Sequence, residues 1–324
     1  MPVLSLADVY RARRRIEGRV THTPLLASAS LSRIAGTEVY LKLETVQPTG
    51  SFKLRGATNA LADLAERGIA RVVTASTGNH GRAIAYAARA LGMEAAVCMS
   101  AMVPKNKVDA VTALGARVVI AGESQDEAQA QALRLASDEG FAFVPPFDNL
   151  NVIAGQATIG LEIMEALPDT ASIVVPLSGG GLFSGVAFAA KRICADVAMI
   201  GVTMERGAAM HASLAAGRPV LVDEVETLAD SLGGGIGLDN EHTFALTREL
   251  ADSVVLLDEA SIARGIVHAY REERLVIEGA AAVGIAALLD RRIDRADLMR
   301  GPAVLVMSGA NIDIGLHRQL ILEA

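Results

Sequence analysis

The 324-residue sequence contains no tryptophan and only four tyrosines and seven phenylalanines, so the stacking platforms that usually hold single-stranded nucleic acids are missing. It also lacks an excess of positive charge. Thirty Lys and Arg stand against 37 Asp and Glu, a formal net charge of −7 that repels a polyanion. Nucleic-acid binding is therefore not expected. The two cysteines, Cys98 and Cys194, lie far apart, each in an apolar run. That excludes a disulfide framework or a CxxC motif and fits buried free thiols in a reducing cytoplasm. The longest uncharged stretch, 170–190, is broken by Pro176 and by Gly179-Gly180-Gly181, so strand, loop and helix in a soluble core are expected rather than a membrane span. Near the N-terminus Arg11, Arg13, Arg14 and Arg15 interrupt any apolar run, which argues against a secretory signal. The spacing of Leu6, Val9 and Ile16 behind Ser5 and Asp8 predicts a capped amphipathic helix instead.

What the chain does have is aliphatic mass. It is 51% hydrophobic and 21% charged, with a mean hydropathy of +0.36, the composition of a close-packed globule. Its length corresponds to about two domains of roughly 150 residues. From about residue 39 onward, apolar or β-branched runs alternate with helical patterns. Strands are predicted over 38–43, 71–75, 95–99, 116–120, 141–144, 172–176, 197–202, 253–257 and 303–307. Helices are predicted over 81–91, 106–114, 126–137, 153–167, 261–271 and 279–289. The fold class is thus α/β, with two open, largely parallel twisted sheets flanked by helices. Pro145-Pro146-Phe147-Asp148-Asn149 is the expected joint, because two prolines continue neither a strand nor a helix.

Ligands of open α/β sheets bind outside the carboxyl ends of the strands. Four loops there have unusual content: 47–56 around Lys53, Ser76-Thr77-Gly78-Asn79-His80-Gly81, Ser178-Gly179-Gly180-Gly181-Leu182, and Ser308-Gly309-Ala310-Asn311. In the third, consecutive glycines let backbone N–H groups converge on one anion at a helix start, which makes a phosphate cradle. A tight turn that packs a helix on a sheet is the equal alternative. The loop is not a dinucleotide fingerprint, since the sixth position from Gly179 is Ser184, and the chain contains no Gly-Lys dipeptide for a P-loop. Lys53, between Phe52 and Leu54 in a glycine-bounded loop, is a candidate for partial burial, which lowers an ammonium pKa and frees the amine as nucleophile or base. A surface lysine with apolar neighbours is the alternative. A lysine and a phosphate cradle without a nucleotide motif together suit an aldehyde cofactor that carries a phosphate.

The segments Thr49-Gly50-Ser51-Phe52-Lys53-Leu54-Arg55-Gly56, 76–81, Val152-Ile153-Ala154-Gly155-Gln156, 178–182 and Ser308-Gly309 occur in this order. Together they resemble the fold-type-II, tryptophan-synthase-β-like pyridoxal-phosphate enzymes of the threonine dehydratase and serine racemase family, from about Leu6 to the C-terminus. The resemblance implies pyridoxal 5'-phosphate bound covalently to Lys53, with Phe52 beside the ring and Asn79 on its 3-hydroxyl. It places the phosphate on the N–H groups of Gly179, Gly180, Gly181 and Leu182, with Ser178 beside them. Ser308 would face the pyridine nitrogen, where a neutral hydroxyl leaves a weaker electron sink than a carboxylate and favours β-elimination over transamination. Ser76, Thr77, Gly78, Asn79 and His80 would receive the substrate carboxylate; for His80 a capping or packing role is the alternative.

Departures from the family pattern sharpen these expectations. Ser178 replaces the first of the usual four glycines but keeps the N–H donor. Thr77 stands where serine racemases carry an acid–base serine and many threonine dehydratases an alanine, so the hydroxyl is retained. Glu205 and Ala209 match the family's cation site, but His211 beside Met210 replaces its aspartate, so no metal is expected. The chain ends soon after Ser308, so no C-terminal regulatory domain is expected. Gly81-Arg82-Ala83, the stretch 229–237 and Ile277-Glu278-Gly279-Ala280 are similar to the hydroxyectoine-utilisation dehydratase branch. The implied enzyme is a cytoplasmic homodimer, with no nucleic-acid or membrane partner, that converts a 3-hydroxy-α-amino acid to a 2-oxo acid and ammonia, with Lys53, Thr77 and Ser308 catalytic. Residues 1–70 and 151–324 would form the cofactor domain and 71–150 a smaller domain closing over the substrate. An amino-acid racemase and a non-catalytic small-molecule-binding protein are the other readings; an intact Lys53 argues against the second.

Overall fold

The computed structural model describes residues 4–324. Ten strands order its described residues: β1 (Leu25–Ala27), β2 (Val39–Leu43), β3 (Arg71–Ala75), β4 (Glu94–Met99), β5 (Arg117–Ile120), β6 (Ala142–Phe143), β7 (Ser172–Pro176), β8 (Ala198–Met204), β9 (Ser253–Leu257) and β10 (Ala303–Met307). They form a six-stranded sheet, β1-β2-β10-β7-β8-β9, and a four-stranded sheet, β5-β4-β3-β6. Every pairing is parallel except that of β1 with β2. The central strands β7, β8 and β10 are buried along their whole length, which is why they read as continuous apolar runs rather than alternating ones.

The large sheet is covered on both faces. Leu150–Ala166 and Gly181–Ile193 pack on one side with Ile173, Val175, Val304 and Val306. Gly279–Leu289 and Glu259–Arg271 pack on the other with Val174, Ile200, Val202 and Leu305. The four-stranded sheet has its own core, in which Val72, Ile84 and Val97 meet Ala57, Ala60 and Leu61 from the helix Lys53–Glu66. That helix therefore precedes residue 71 in sequence but packs against the smaller sheet. The N-terminal helix Leu6–Ile16 carries the expected cap: the Ser5 hydroxyl accepts from Asp8 N–H while the Asp8 carboxylate accepts from Ser5 N–H.

Strand bounds over 71–75, 172–176, 253–257 and 303–307 coincide with the sequence expectation. Lys53 does not lie in a loop. It opens a fourteen-residue helix, and the glycines that suggested a loop serve a helix crossing instead. A Cβ on Gly155 would lie 2.6 Å from Gly56 Cα, and one on Gly56 would lie 2.4 Å from Gln156 Nε2. Two small residues thus let Lys53–Glu66 and Leu150–Ala166 touch backbone to backbone. Both cysteines are free; Cys98 is buried, but Cys194, expected to be buried, is partly exposed just past a helix end. No helix among the described residues is long and apolar enough to cross a membrane.

The strand orders fix where a ligand can sit. In the large sheet the chain runs β7 to β8 to β9 in one direction while β10 and β2 lie on the other side of β7; in the small sheet β4 and β5 extend to one side of β3 and β6 to the other. Each sheet therefore has a switch point, where diverging helices leave a crevice at the carboxyl ends of the strands. The loops at these points are 178–180 and 308–311 in one sheet and 76–78 and 144–149 in the other.

Candidate active site

Two of the switch-point loops reach Lys53 and its neighbour Phe52. The Lys53 Nζ donates to the carbonyl of Pro146, 2.8 Å away, and lies 5.3 Å from the centroid of the Phe52 ring. Phe52 N–H in turn donates to the carbonyl of Ser308 at 3.0 Å. Burial pushes the Lys53 amine down to about 8, against the opposing attraction of Glu278. At that value a useful fraction is uncharged near neutral pH, as a nucleophilic amine requires.

The glycine loop faces the same crevice. Gly180 caps the helix Gly181–Ile193 with φ 88°, in the left-handed region, and no side chain caps that helix. Its first N–H groups therefore have neither an intrahelical nor a side-chain acceptor. The glycines are also demanded by packing. A Cβ on Gly179 would sit 2.5 Å from the Phe147 ring, and one on Gly181 would sit 2.9 Å from Phe147 Cβ. Both readings of the loop are thus compatible: it packs tightly and keeps its donors free. Leu182 is buried behind it and Ser178 is partly exposed at its mouth.

Ser76, Thr77 and Gly78 are half-buried ahead of Asn79, which opens the helix Asn79–Leu91. This helix too has no side-chain cap. The helix begins two residues before the predicted position, which puts Asn79 and His80 in its first turn. The Asn79 carboxamide donates to both oxygens of Glu278, at 2.9 and 3.0 Å. His80 is buried, with Nε2 3.1 Å from the Val144 carbonyl, so Nε2 carries the proton. Burial, then the nearby Lys53 charge, push its pKa down to about 3. The ring is neutral, and its backbone N–H rather than its charge is what it offers a ligand.

Several residues that shape the site had no role in the sequence reading. Glu278 caps the helix Gly279–Leu289, and its carboxyl lies where a Cβ on Gly309 would be 2.6 Å from Oε1. Burial raises it to about 7, with Asp230 adding to the rise and the hydrogen bonds from Asn79, Asn311 and Ser231 opposing it. Phe147 and Asp148 lie in the segment read as a joint. The Asp148 carboxylate accepts from the N–H groups of Glu241, His242 and Thr243 at 2.7–3.0 Å. The hydroxyls of Thr49 and Ser51 are buried without a hydrogen-bond partner. Proximity in sequence could not reveal these contacts. Away from this cluster, Glu205 is exposed after β8, while Ala209 is buried and His211 partly exposed at the start of Ala209–Ala216.

A low-pKa amine, a helix start with free N–H donors, an amide donor and a buried serine at position 308 form a donor set that fits a phosphate-bearing aldehyde. Comparison with known proteins agrees. Residues 16–309 match the family described as pyridoxal-phosphate dependent enzymes. A protein of Sinorhizobium fredii that bears a threonine dehydratase name is 56% identical over 320 residues, covering 98% of this chain and 95% of that one. The L-threonine ammonia-lyase of Thermotoga maritima is 41% identical, over 98% of this chain and 78% of its own. Maize serine racemase matches in structure with a TM-score of 0.92 at 30% identity, covering 99% of this chain and 98% of that chain. The chain belongs to the pyridoxal-phosphate dependent enzymes, and its two sheets are those of fold type II. Within them it is a lyase of the threonine dehydratase and serine racemase family.

Proposed function

We propose that the protein eliminates water from a 3-hydroxy-α-amino acid and releases an enamine, which tautomerises to an imine and takes water back to give a 2-oxo acid and ammonia. The observation that carries this reading is the buried Lys53 amine, its pKa lowered to about 8, bonded to the carbonyl of Pro146 next to the Phe147 ring on which the glycine loop packs. The names of the relatives support it. When bound, pyridoxal phosphate supplies an electron sink for the carbanion left at the substrate Cα. Lys53 would hold the cofactor covalently, the N–H groups from Gly179 to Leu182 with Ser178 would hold its phosphate, and Phe52 would line its ring. Asn79 would serve the ring oxygen and Ser308 the ring nitrogen. Ser76, Thr77, Gly78, Asn79 and His80 offer the substrate carboxylate hydroxyl, amide and backbone N–H donors at a helix start. Lys53 Nζ would be the base for the Cα proton, and the Thr77 hydroxyl or the cofactor phosphate the acid for the oxygen leaving Cβ. Residues 71–150 close over the substrate and exclude water. The bonds of Asn79 to Glu278 and of Arg82 to Asn311 already join that segment to the larger sheet's loops.

The reading extends to a substrate bulkier than serine or threonine, a hydroxylated diamino acid of the hydroxyectoine-derived kind. Its support is the loop 233–237. A Cβ on Gly234 would meet nothing within 4 Å, and one on Gly235 would meet only Gly237 N at 4.0 Å. This loop follows Asp230 and Ser231, which act on Glu278. Specificity constants for L-threonine, L-serine, threo-3-hydroxyaspartate and a hydroxyectoine-derived diamino acid test it, with 2-oxo acid and ammonia measured as products. The bulky substrate is expected to lead; high efficiency on threonine alone reduces the reading to a plain threonine dehydratase. D-amino acid formed without ammonia would assign racemisation instead, with Thr77 as the second acid–base group.

A further inference from the structure

A relay of four polar side chains runs behind the proposed ring site. Arg82 Nη1 donates to Asn311 Oδ1 at 2.7 Å. Asn311 Nδ2 donates to Asn79 Oδ1 at 2.7 Å and to the Thr49 carbonyl at 2.9 Å. Asn79 Nδ2 donates to Glu278 Oε1 and Oε2, and Asn311 N–H donates to Glu278 Oε2 at 3.2 Å. The two ends of the relay are chemically unambiguous. A guanidinium only donates, and a carboxylate only accepts. A carboxamide can be turned either way, so the two asparagines take their direction from these ends. With Arg82 donating at one end, Asn311 must present its amino group to Asn79. Asn79 must then present its own to Glu278.

We propose that ionised Glu278, together with Arg82, is a positioning residue that sets the direction of the Asn79 carboxamide, so that its second Nδ2 hydrogen is presented to the ring oxygen of the cofactor. This rests on the reading that Asn79 faces the ring. Both contacts to Glu278 fall on one carboxylate, which a single shared hydrogen satisfies, and the other hydrogen stays available. Protonation of Glu278 removes the charge that holds Asn79 Nδ2, so the carboxamide is held from the Asn311 side alone and its donor to the ring is directed less firmly. The charged groups facing Glu278 are Lys53 from the helix Lys53–Glu66, Asp230 from the 229–237 stretch and Arg82 through Asn311. Asp230 itself pairs with Lys107 at 3.6 Å, and the neighbouring His80 is neutral.

The test is rebinding of pyridoxal phosphate to the cofactor-stripped full-length enzyme, followed by absorbance of the bound cofactor, from about pH 5.5 to 8.5. The readout is the ratio of the dissociation constant of Glu278→Gln to that of the parent. It is expected to rise from near one at low pH to about tenfold at high pH, the loss of one oriented hydrogen bond, with the parent's spectral pH dependence flattened in the variant. Arg82→Met, which breaks the other end, is expected to weaken binding at all pH values, and it decides the matter if Glu278→Gln does not fold. Asn79→Ala is expected to weaken binding throughout. If Asn79→Ala binds and absorbs like the parent, the placement of Asn79 at the ring fails and this inference with it. If Asn79→Ala weakens binding while the Glu278→Gln ratio stays constant with pH, or Arg82→Met changes nothing, the inference alone is overturned.

Discussion

Arg55 and Lys53 stand two residues apart on one helix, and both bring positive charge into the interior, yet their surroundings answer that charge in different ways. Arg55 is fully buried, and its guanidinium donates to both oxygens of Glu44 at 2.8 Å and to both of Glu162 at 2.6 and 2.8 Å. Lys42 completes the set, 2.5 Å from Glu162, leaving two positive and two negative groups in contact. Burial alone would lower the pKa of Arg55, but Glu44 and Glu162 outweigh it and hold the pKa above its ordinary value. Burial likewise raises Glu162, and Arg55 with Lys42 overcomes that and keeps it below the usual carboxylate range. Lys53 has only the Pro146 carbonyl, and the direct partners of Glu278 are neutral N–H and hydroxyl groups. Both move toward neutrality, Lys53 down to about 8 and Glu278 up to about 7. Arg55 and Glu162, each touching its counter-charge, are held in their charged states and serve the fold, although burial lowers the pKa of Lys42 beside them. A buried group kept from such contact sits near its midpoint at neutral pH and can exchange a proton.

Breaking each side of this comparison should produce different kinds of damage. Lys53→Ala removes the covalent anchor and the base together, so turnover should fall by about 10³-fold or more. Borohydride, which links cofactor to Lys53 in the parent, should leave the variant unlabelled, while its unfolding temperature changes little. A yellow, borohydride-labelled variant would move the anchor to another lysine. Arg55→Met instead leaves Glu44 buried without a counter-charge and Glu162 with Lys42 alone, and should cost about 3–5 kcal/mol in urea unfolding. Labelling of Lys53 should persist in whatever fraction remains folded. Adding Glu44→Gln, which neutralises the carboxylate left without a counter-charge, should restore part of the loss; no recovery would mean that the cluster matters through packing rather than charge.

The contrast also marks where sequence is legible. Ile173-Val174-Val175 and Val304-Leu305-Val306 were readable as strands because their environment is apolar on both faces, a property carried by the residues themselves. The glycine loop and Lys53 were readable as motifs because their chemistry is local. The helix Lys53–Glu66 was not read, although Leu54, Ala57, Leu61 and Leu64 recur at helical spacing, because buried polar Arg55, Thr58 and Asn59 interrupt the apolar run and Gly56 reads as punctuation until Gly155 is seen beside it. Glu278 was quoted without a role because Asn79 lies 199 residues away. Arg55 meets Glu44 and Glu162 across 11 and 107 residues. Polar pairing over such separations leaves no periodic trace in one chain.

The smallest expected effect, and the one that distinguishes the two clusters by sign, is the dependence of stability on pH in cofactor-free protein. Glu278 rises from an ordinary 4.5 to about 7 on folding, so between those values the folded state holds a proton that the unfolded state has lost. Stability therefore falls as pH rises through that window and levels off above it, by roughly 3 kcal/mol at most. Glu278→Gln cannot titrate, so its stability relative to the parent should improve by that amount between about pH 4.5 and 8. Glu162 is held below its ordinary value, so its contribution is present above the unfolded carboxylate range and is lost as pH falls through the folded value. Glu162→Gln should accordingly flatten the acid limb and leave the neutral window unchanged. Urea unfolding of the parent and both variants at several pH values measures each slope. A Glu278→Gln curve that runs parallel to the parent's from acid to neutral pH would mean that Glu278 is ionised throughout, and the distinction between a locked and a poised cluster would be lost.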